Sequence, residues 1–85
     1  MIWVIEWTEQ ASKDLGRLDR HVRERVVRAV ERLAQTGYGD LVRLKGPGRR
    51  MRLRVGDWRV GLTMEHAQQL LRVYWVRPRG RAYRD

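Results

Sequence analysis

The sequence predicts an α+β domain: an N-terminal strand, a two-helix hairpin, and then a three- to four-stranded antiparallel sheet with the helices on one face. Three observations predict this arrangement. Residues 2–7 alternate in character, residues 11–34 carry apolar side chains at helical spacing, and residues 49–64 alternate between arginine and apolar side chains. Because the helical segments precede the later strands, we expect the second face of the sheet to stay partly open. A chain of 85 residues is expected to form a single domain, 1–85.

The first three elements are bounded by recognisable signals. The alternation in residues 2–7 indicates a strand whose bulky face, formed by Trp3, Ile5 and Trp7, packs against helices. Thr8 is a typical residue for the start of a helix, and Asp19 is expected to cap a second one. Apolar residues continue at helical spacing through Ala34, and Gly37 is expected to end the helix. The two helices are therefore expected to form a hairpin against the sheet.

The central prediction is a β-hairpin whose two-residue loop is Gly56-Asp57. Glycine in the first loop position suits a type II′ turn. The predicted register places Val55 opposite Trp58, Arg54 opposite Arg59, and Arg52 opposite Gly61. One face is then apolar, with the side chains of Met51, Leu53, Val55, Trp58, Val60, Leu62 and Met64. The other face carries Arg52, Arg54, Arg59, Gly61 and Thr63.

The arginine face of this hairpin has two interpretations. Arg54 and Arg59 repel each other when they lie directly opposite, so a fold that keeps the pair suggests an anion between them. Gly61 leaves space beside Arg52 for something to approach the backbone. The alternative is that these arginines are simply solvated, as most surface charges are. The hairpin alone does not separate the two.

The remaining segments complete the sheet. Residues 41–45 are expected to form a short edge strand or part of a loop, and a Gly-Pro-Gly break follows them. Residues 70–76 are nearly continuously apolar, which indicates a strand in the interior of the sheet. The arginine-rich residues 77–85 emerge from the end of that strand.

Composition points to an anionic partner. The chain has a net charge of +9, a pI near 11.4, and only two lysines, Lys13 and Lys45, among 19 basic residues. Arginine binds phosphate through a planar fork and stacks on bases, so this excess favours nucleic acid. A genomic preference for arginine would explain the residue type but not the excess of charge. With no cysteine, disulfides and thiolate metal sites are excluded, and we expect no metal or other cofactor. No apolar run is long enough to span a membrane, so a cytoplasmic protein is expected.

Few residues in the chain are suited to covalent catalysis. His21 and His66 lie far apart in the sequence, and no serine has a base beside it. What remains is arginine together with Tyr83. Arginines stabilise a pentavalent phosphate by charge alone, and RNA supplies its own nucleophile in the 2′-OH. The residues thus predict a nucleic-acid-binding sheet face, with a metal-free ribonuclease as the sharper interpretation, in which Tyr83 takes or relays the 2′-OH proton.

Three motifs in order resemble the RelE/ParE superfamily of toxins from bacterial type II toxin–antitoxin systems. Residues 6–11, EWTEQA, followed by a leucine pair, are similar to the opening of the family. Residues 52–60, RLRVGDWRV, look like its central basic strand and its aromatic-arginine step. Residues 73–84, VYWVRPRGRAYR, look like its ending, in which a strand is followed by an arginine and, four residues later, a tyrosine. The resemblance implies a RelE-like fold over nearly the whole chain.

In the RelE branch the toxin cuts mRNA in the ribosomal A site, by attack of the 2′-OH on the adjacent phosphate. The resemblance implies that Arg59 stabilises the transition-state charge, that Arg79 lies near the leaving oxygen, and that Tyr83 positions or activates the 2′-OH. The residues expected to bind RNA or phosphate are Arg52, Arg54, Arg77, Arg81 and Lys45. The sequence departs from the family at Pro78, which stands where many relatives have histidine. In addition, no glutamate is expected near the sheet arginines.

The function expected from these observations is that of a toxin that inhibits translation as a ribosome-dependent mRNA endoribonuclease. Its expected partners are a cognate antitoxin, mRNA and the ribosome. One alternative is a ParE-like toxin that inhibits DNA gyrase, which does not need the set Arg59, Arg79 and Tyr83. Another is a catalytically degenerate relative that only binds its antitoxin.

Overall fold

The computed structural model describes residues 2–46 and 48–82, which form one five-stranded sheet and three helices. The elements in chain order are β1 Val4–Trp7, α1 Glu9–Gly16, α2 Arg20–Thr36, β2 Leu41–Arg43, β3 Met51–Val55, β4 Trp58–Glu65, β5 Leu70–Pro78 and α3 Arg79–Ala82. The strands lie in the order β1-β5-β4-β3-β2. The predicted order of a strand, two helices and the later strands is therefore confirmed, and residues 41–43 form an edge strand. The short helix α3 was not predicted.

The sheet is mixed, because β1 runs parallel to β5 while all other neighbours are antiparallel. Val4 pairs with Leu70, and Trp7 pairs with Val73. The sequence indicated three or four antiparallel strands and did not place the first strand beside the last. The helical hairpin makes this arrangement possible, since α1 and α2 carry the chain across the sheet from β1 at one edge to β2 at the other.

Both long helices begin where their capping residues predict, and α2 also ends at its predicted glycine. The Thr8 side chain accepts a hydrogen bond from the Ala11 N–H at 3.2 Å, and Asp19 Oδ1 accepts one from the Val22 N–H at 3.1 Å. Gly37 ends α2 in the left-handed conformation, at φ 76°, and its N–H donates to the Leu33 carbonyl.

The core lies between the helices and one face of the sheet. The buried side chains of α2 meet those of β3, β4 and β5 there, and the cluster includes Val26, Val30, Leu33, Leu53, Val60, Leu62, Leu71 and Val73. Trp3 is buried, and Ile5 and Trp7 pack against the same cluster, which confirms the prediction for the first strand. Burying an aliphatic side chain of this size contributes roughly 1.5–3 kcal/mol, so this single layer is the main source of stability. In the described part of the chain, no helix combines the length and apolar character needed to cross a bilayer.

The central hairpin has the predicted register. Val55 pairs with Trp58, Arg54 with Arg59, and Arg52 with Gly61. The loop residue Gly56 has φ 59°, so the positive dihedral angle falls where a type II′ turn requires it.

Strand β5 contains a bulge at Tyr74. Gly61 pairs with Trp75 and the next residue, Leu62, pairs with Val73, so Tyr74 has no partner on β4. Side chains of α1 bind backbone groups near the bulge: the Thr8 hydroxyl donates to the Tyr74 carbonyl at 3.2 Å, and Asp14 Oδ2 accepts from the Val76 N–H at 2.9 Å.

The bulge places Trp75 over Gly61 on the face opposite the helices. A Cβ atom added at Gly61 would overlap the indole ring, and Trp75 is only 9% exposed. The sequence correctly indicated that something lies close to the backbone at Gly61. Because Trp75 of the same chain fills that space, no ligand approaches the backbone there.

Candidate nucleic-acid interface

Three arginines form a row across the sheet face opposite the helices. Arg54 on β3 pairs with Arg59 on β4, and Arg59 pairs with Arg77 on β5. We call this face, which the helices do not cover, the open face, and we call Arg54, Arg59 and Arg77 the arginine row. The half-buried Arg52 lies one pair further along the same face, opposite Gly61. The predicted pairing of Arg54 with Arg59 is thus confirmed, and Arg77 adds a third arginine to the row.

Arg59 is buried, although it lies on the open face. Its side chain is folded back on the hairpin turn, where Nη1 donates to the carbonyls of Gly56 and Trp58, each at 2.9 Å. The residue is 6% exposed, and no carboxylate of the described residues lies within ion-pair distance of it. Of the two interpretations left open, simple solvation is therefore wrong for Arg59. Hydrogen bonds from a charged donor hold this guanidinium in a fixed place.

The other two members of the row turn away from Arg59. Arg54 lies 4.0 Å from the Asp40 carboxylate, in a pair whose side chains are both more than half exposed. Such a pair contributes little to stability, about 0–1 kcal/mol. The guanidinium carbon of Arg77 lies 4.5 Å from the centroid of the Trp75 ring, which is a cation–π contact. Each of the three guanidinium groups therefore has a partner of its own within the chain, which offsets part of the repulsion across the row.

The turn Gly56-Asp57 connects the two arginines that the sequence assigned to catalysis. The Gly56 carbonyl accepts from the Arg59 side chain, and the Asp57 carbonyl accepts from the backbone N–H of Arg79 at 2.9 Å. Arg79 is exposed and begins α3, so this bond fixes the start of the C-terminal helix against the turn.

A further arginine reaches the same turn from the helix layer. The Arg25 Nη2 atom lies 2.7 Å from the position that a Cβ at Gly56 would take. Helical spacing alone would assign Arg25 to a solvated face of α2. No local signal in the sequence could have identified this contact, because it joins elements that are distant in the chain.

The other predicted site residues are placed as follows. Arg81 belongs to α3, and Tyr83 lies outside the described residues. Lys45 is exposed in the loop that precedes β3, at the end of that strand opposite the turn. The five residues of β3 span roughly 17 Å at about 3.3 Å per residue, so the fold does not bring Lys45 together with Arg59.

Two glutamates lie on the open face, contrary to expectation. Arg72 Nη1 lies 2.8 Å from Glu65 Oε2, and its Nε is hydrogen-bonded to Glu6 Oε1. Hydrogen bonding to the Tyr74 side chain and to Glu6 raises the pKa of Arg72 above its ordinary value, so Arg72 stays charged. The sequence missed this cluster because the parallel pairing of β1 with β5, which places Glu6 beside Arg72, was not predicted. Within residues 2–46 and 48–82, no group of three or more acidic or histidine side chains is arranged to hold a metal ion.

Similar solved structures share this fold at low sequence identity. A RelE–RelB complex from the archaeon Pyrococcus horikoshii OT3 matches with a TM-score of 0.81 and 24% identity, over 95% of this chain and 99% of that one. The RelBE2 toxin–antitoxin complex of Mycobacterium tuberculosis matches with a TM-score of 0.81 and 18% identity, over 93% and 100%. A free mutant of E. coli RelE matches with a TM-score of 0.73 and 19% identity, over 99% and 90%.

These likenesses show that the chain has the RelE-like fold. The family of ParE toxins of type II toxin–antitoxin systems, named for parDE, matches residues 5–83. The chain belongs to that family, which confirms the predicted RelE/ParE membership. No curated protein gives a significant match.

Proposed function

We propose that this toxin is a metal-independent, ribosome-dependent mRNA endoribonuclease. The observation that carries the proposal is the arginine row together with Arg79, which the hairpin turn holds beside it. A gyrase-binding surface has no need for a buried, preorganised guanidinium such as Arg59. Cleavage of mRNA on the ribosome places the protein in the cytoplasm.

In the proposed reaction the substrate provides the nucleophile. The 2′-OH oxygen loses its proton and attacks the adjacent phosphorus, and the bond from phosphorus to the 5′ oxygen breaks. That oxygen takes up a proton, so the products are a 2′,3′-cyclic phosphate and a 5′-hydroxyl. Negative charge grows on the non-bridging oxygens during this step. Arg59, fixed through Nη1, supplies positive charge without having to reorganise, which is the most effective form of electrostatic stabilisation.

The other roles are proposed from the resemblance to the RelE branch. Arg79 is exposed beside the turn, where it is proposed to lie near the leaving 5′ oxygen. Tyr83, four residues further on, is proposed to position the 2′-OH and to take or relay its proton. Arg52, Arg54, Arg77 and Arg81 are proposed to bind the neighbouring phosphates. Arg77 already stacks on Trp75, an arrangement that suits contact with a nucleic acid.

A cognate antitoxin is the second proposed partner. The P. horikoshii and M. tuberculosis relatives were solved as complexes with their antitoxins. A toxin with a net charge of +9 is expected to be neutralised by an acidic antitoxin segment, because complementary charge accelerates and orients association. We expect the toxin to co-purify with the product of the adjacent gene and to lose its toxicity on co-expression. Failure of both would argue against a functional toxin–antitoxin pair.

The alternative function is inhibition of DNA gyrase. The match to the ParE family favours it, because the toxin of parDE gives that family its name. A gyrase inhibitor needs a complementary binding surface and no catalytic residues, so the arginine row would then serve only for binding.

One experiment separates the two functions. Primer extension on an mRNA in a reconstituted translation reaction, with and without ribosomes, is run in parallel with a DNA supercoiling assay. In-frame cleavage that requires ribosomes supports the nuclease. Intact mRNA combined with inhibited supercoiling assigns the protein to the gyrase inhibitors, and no effect in either assay identifies a degenerate relative.

A further inference from the structure

The arginines of the open face continue beyond the predicted site to the far end of β3. Arg50 lies directly before β3, and its guanidinium carbon is 5.9 Å from the centroid of the Tyr74 ring. The open face thus carries two arginine–aromatic pairs in succession along β5, Arg77 on Trp75 and Arg50 on Tyr74. Guanidinium groups over aromatic rings recur where proteins bind single-stranded nucleic acids.

The loop before β3 borders two clefts at that end of the sheet. The Leu44 N–H donates to the Arg50 carbonyl at 2.9 Å, which closes the loop, and Arg49 has φ 52°, an uncommon value for a residue other than glycine. The clefts measure about 320 and 460 Å³ and share Arg49, Met64 and His66. They therefore adjoin each other and together make up one grooved region at the end of the sheet. We call it the end groove; its lining includes Arg43, Arg49, Arg50, Met64, His66 and Tyr74.

The charge of the end groove is positive and uncompensated. Within the described part of the chain, no carboxylate lies within ion-pair distance of Arg43, Arg49, Arg50 or the neighbouring Lys45, whereas Arg54 and Arg72 have acidic partners. Glu65 also lines the groove, but its carboxylate is bound to Arg72 and accepts a hydrogen bond from the Thr63 hydroxyl. A concave surface lined by one sign of charge concentrates ligands of the opposite sign.

The remaining lining of the groove suits a nucleobase. Met64 provides apolar surface, and Tyr74 and His66 provide aromatic rings near the arginines. Tyr74 is half-buried, with its hydroxyl 3.5 Å from the Thr63 hydroxyl, so the ring is held in position. The combination of fixed rings, apolar surface and unpaired guanidinium groups matches the requirements of a base together with its phosphate.

We propose that the end groove binds single-stranded RNA that extends from the scissile position, with phosphates on Arg49 and Arg50 and a base against Tyr74. This inference rests on the proposed function, since it assigns a second binding site to the same substrate. From Arg59 to Glu65, β4 spans roughly 20 Å at about 3.3 Å per residue. A few nucleotides therefore separate the scissile phosphate from the groove, and Arg52 lies between them on the open face.

The test is a binding measurement that does not require cleavage. A fluorescent 12-nucleotide RNA whose 2′ positions are methylated has no nucleophile, and its affinity is measured by anisotropy over a range of salt concentrations. The variant Arg49→Asn/Arg50→Gln is compared with the control Arg17→Ala/Arg32→Ala. The control removes two exposed arginines from the helix layer and changes the net charge equally. Asparagine tolerates the left-handed backbone at position 49, and circular dichroism verifies the fold of each variant.

We expect the groove variant to lower RNA affinity by about tenfold or more, and its salt slope to fall by about 1.4, because two single-strand phosphate contacts are lost. The control should change affinity by less than threefold. Tyr74→Leu should lower affinity by about tenfold without changing the slope, because stacking is lost and the charge is kept. An equal loss in the groove and control variants, or no loss in either, overturns the proposal.

Two further outcomes are decisive. If the groove variant keeps its RNA affinity but loses affinity for an acidic peptide of the antitoxin, the groove is a protein-binding site and the proposal is wrong. Cleavage in the translation assay is scored separately. A groove variant with weakened RNA binding in a toxin that never cleaves mRNA supports the groove and refutes the nuclease. If the wild type cleaves mRNA and the groove variant binds RNA as well as the wild type does, the nuclease is supported and the groove proposal is refuted.

Discussion

Replacing Arg59 with alanine is expected to lower the rate of ribosome-dependent mRNA cleavage by about 100- to 1,000-fold. The expectation follows from the loss of one preorganised charge beside the reacting phosphate, an effect of that size in other enzymes. The rate is measured by primer extension in the translation reaction at saturating toxin. Arg32→Ala, on the exposed surface of α2, is the matched control and should retain the wild-type rate.

If Arg59 has only a structural role, the loss of cleavage in Arg59→Ala should be no greater than the loss of folded protein. Its Nη1 binds two carbonyls near the turn, so the alanine variant is also expected to be less stable, by about 1–3 kcal/mol. Arg59→Lys keeps the charge and loses the planar fork, and should recover part of the rate. If cleavage simply follows the folded fraction of each variant, or if Arg59→Ala cuts mRNA at the wild-type rate, Arg59 is not catalytic.

A large effect on stability is also expected at Gly61. A methyl group at this position would overlap the indole ring of Trp75, which is buried and bears Arg77 on its face. Gly61→Ala should therefore lower the free energy of unfolding by about 1–3 kcal/mol, because a packed site absorbs extra volume only by strain. In a domain of this size that corresponds to roughly 4–8 °C in Tm for each kcal/mol. Thermal unfolding followed by circular dichroism measures it.

The control and the rescue for this prediction are both available in the chain. Gly16 ends α1 with open space around it, so Gly16→Ala should not destabilise the protein. Trp75→Leu makes room for the methyl group. In a Trp75→Leu protein, Gly61→Ala should therefore lower the free energy of unfolding by less than it does in the wild type, and a double-mutant cycle measures the difference. Equal costs of Gly61→Ala with and without the indole would contradict the packing seen here.

Local chemistry was sufficient to predict much of the fold. Gly56-Asp57 fixes the hairpin register through a turn that needs a positive φ. Thr8 and Asp19 cap their helices through local hydrogen bonds, which do not depend on how the helices pack. The pairing of β1 with β5 could not be predicted, because it joins residues such as Glu6 and Arg72 that are 66 positions apart. The Glu6–Arg72–Glu65 cluster depends on that pairing and was missed for the same reason.

The sequence predicted which face of the sheet carries the candidate site, but not the contacts that surround its side chains. Alternation along β3 and β4 correctly assigned Arg54 and Arg59 to the face away from the helices. It could not show that Arg59 folds back on the turn, because that choice depends on the carbonyl of Gly56 and on the other residues around the side chain. The bulge at Tyr74, which places Trp75 over Gly61, is also an irregularity that period-two patterning does not reveal.

The position of β5 in the sheet determines when this protein can complete its fold during synthesis. β5 is hydrogen-bonded to β1 on one side and to β4 on the other, yet it is synthesised after the other four strands. At about 5–20 residues per second, roughly 3–13 s pass between the synthesis of Glu6 and that of its partner Arg72. Until then β1 has no neighbouring strand with which to pair, and Arg77 has not joined Arg54 and Arg59. The arginine row therefore cannot form before Arg77 has been synthesised, so a nascent chain that ends before β5 lacks the proposed binding surface.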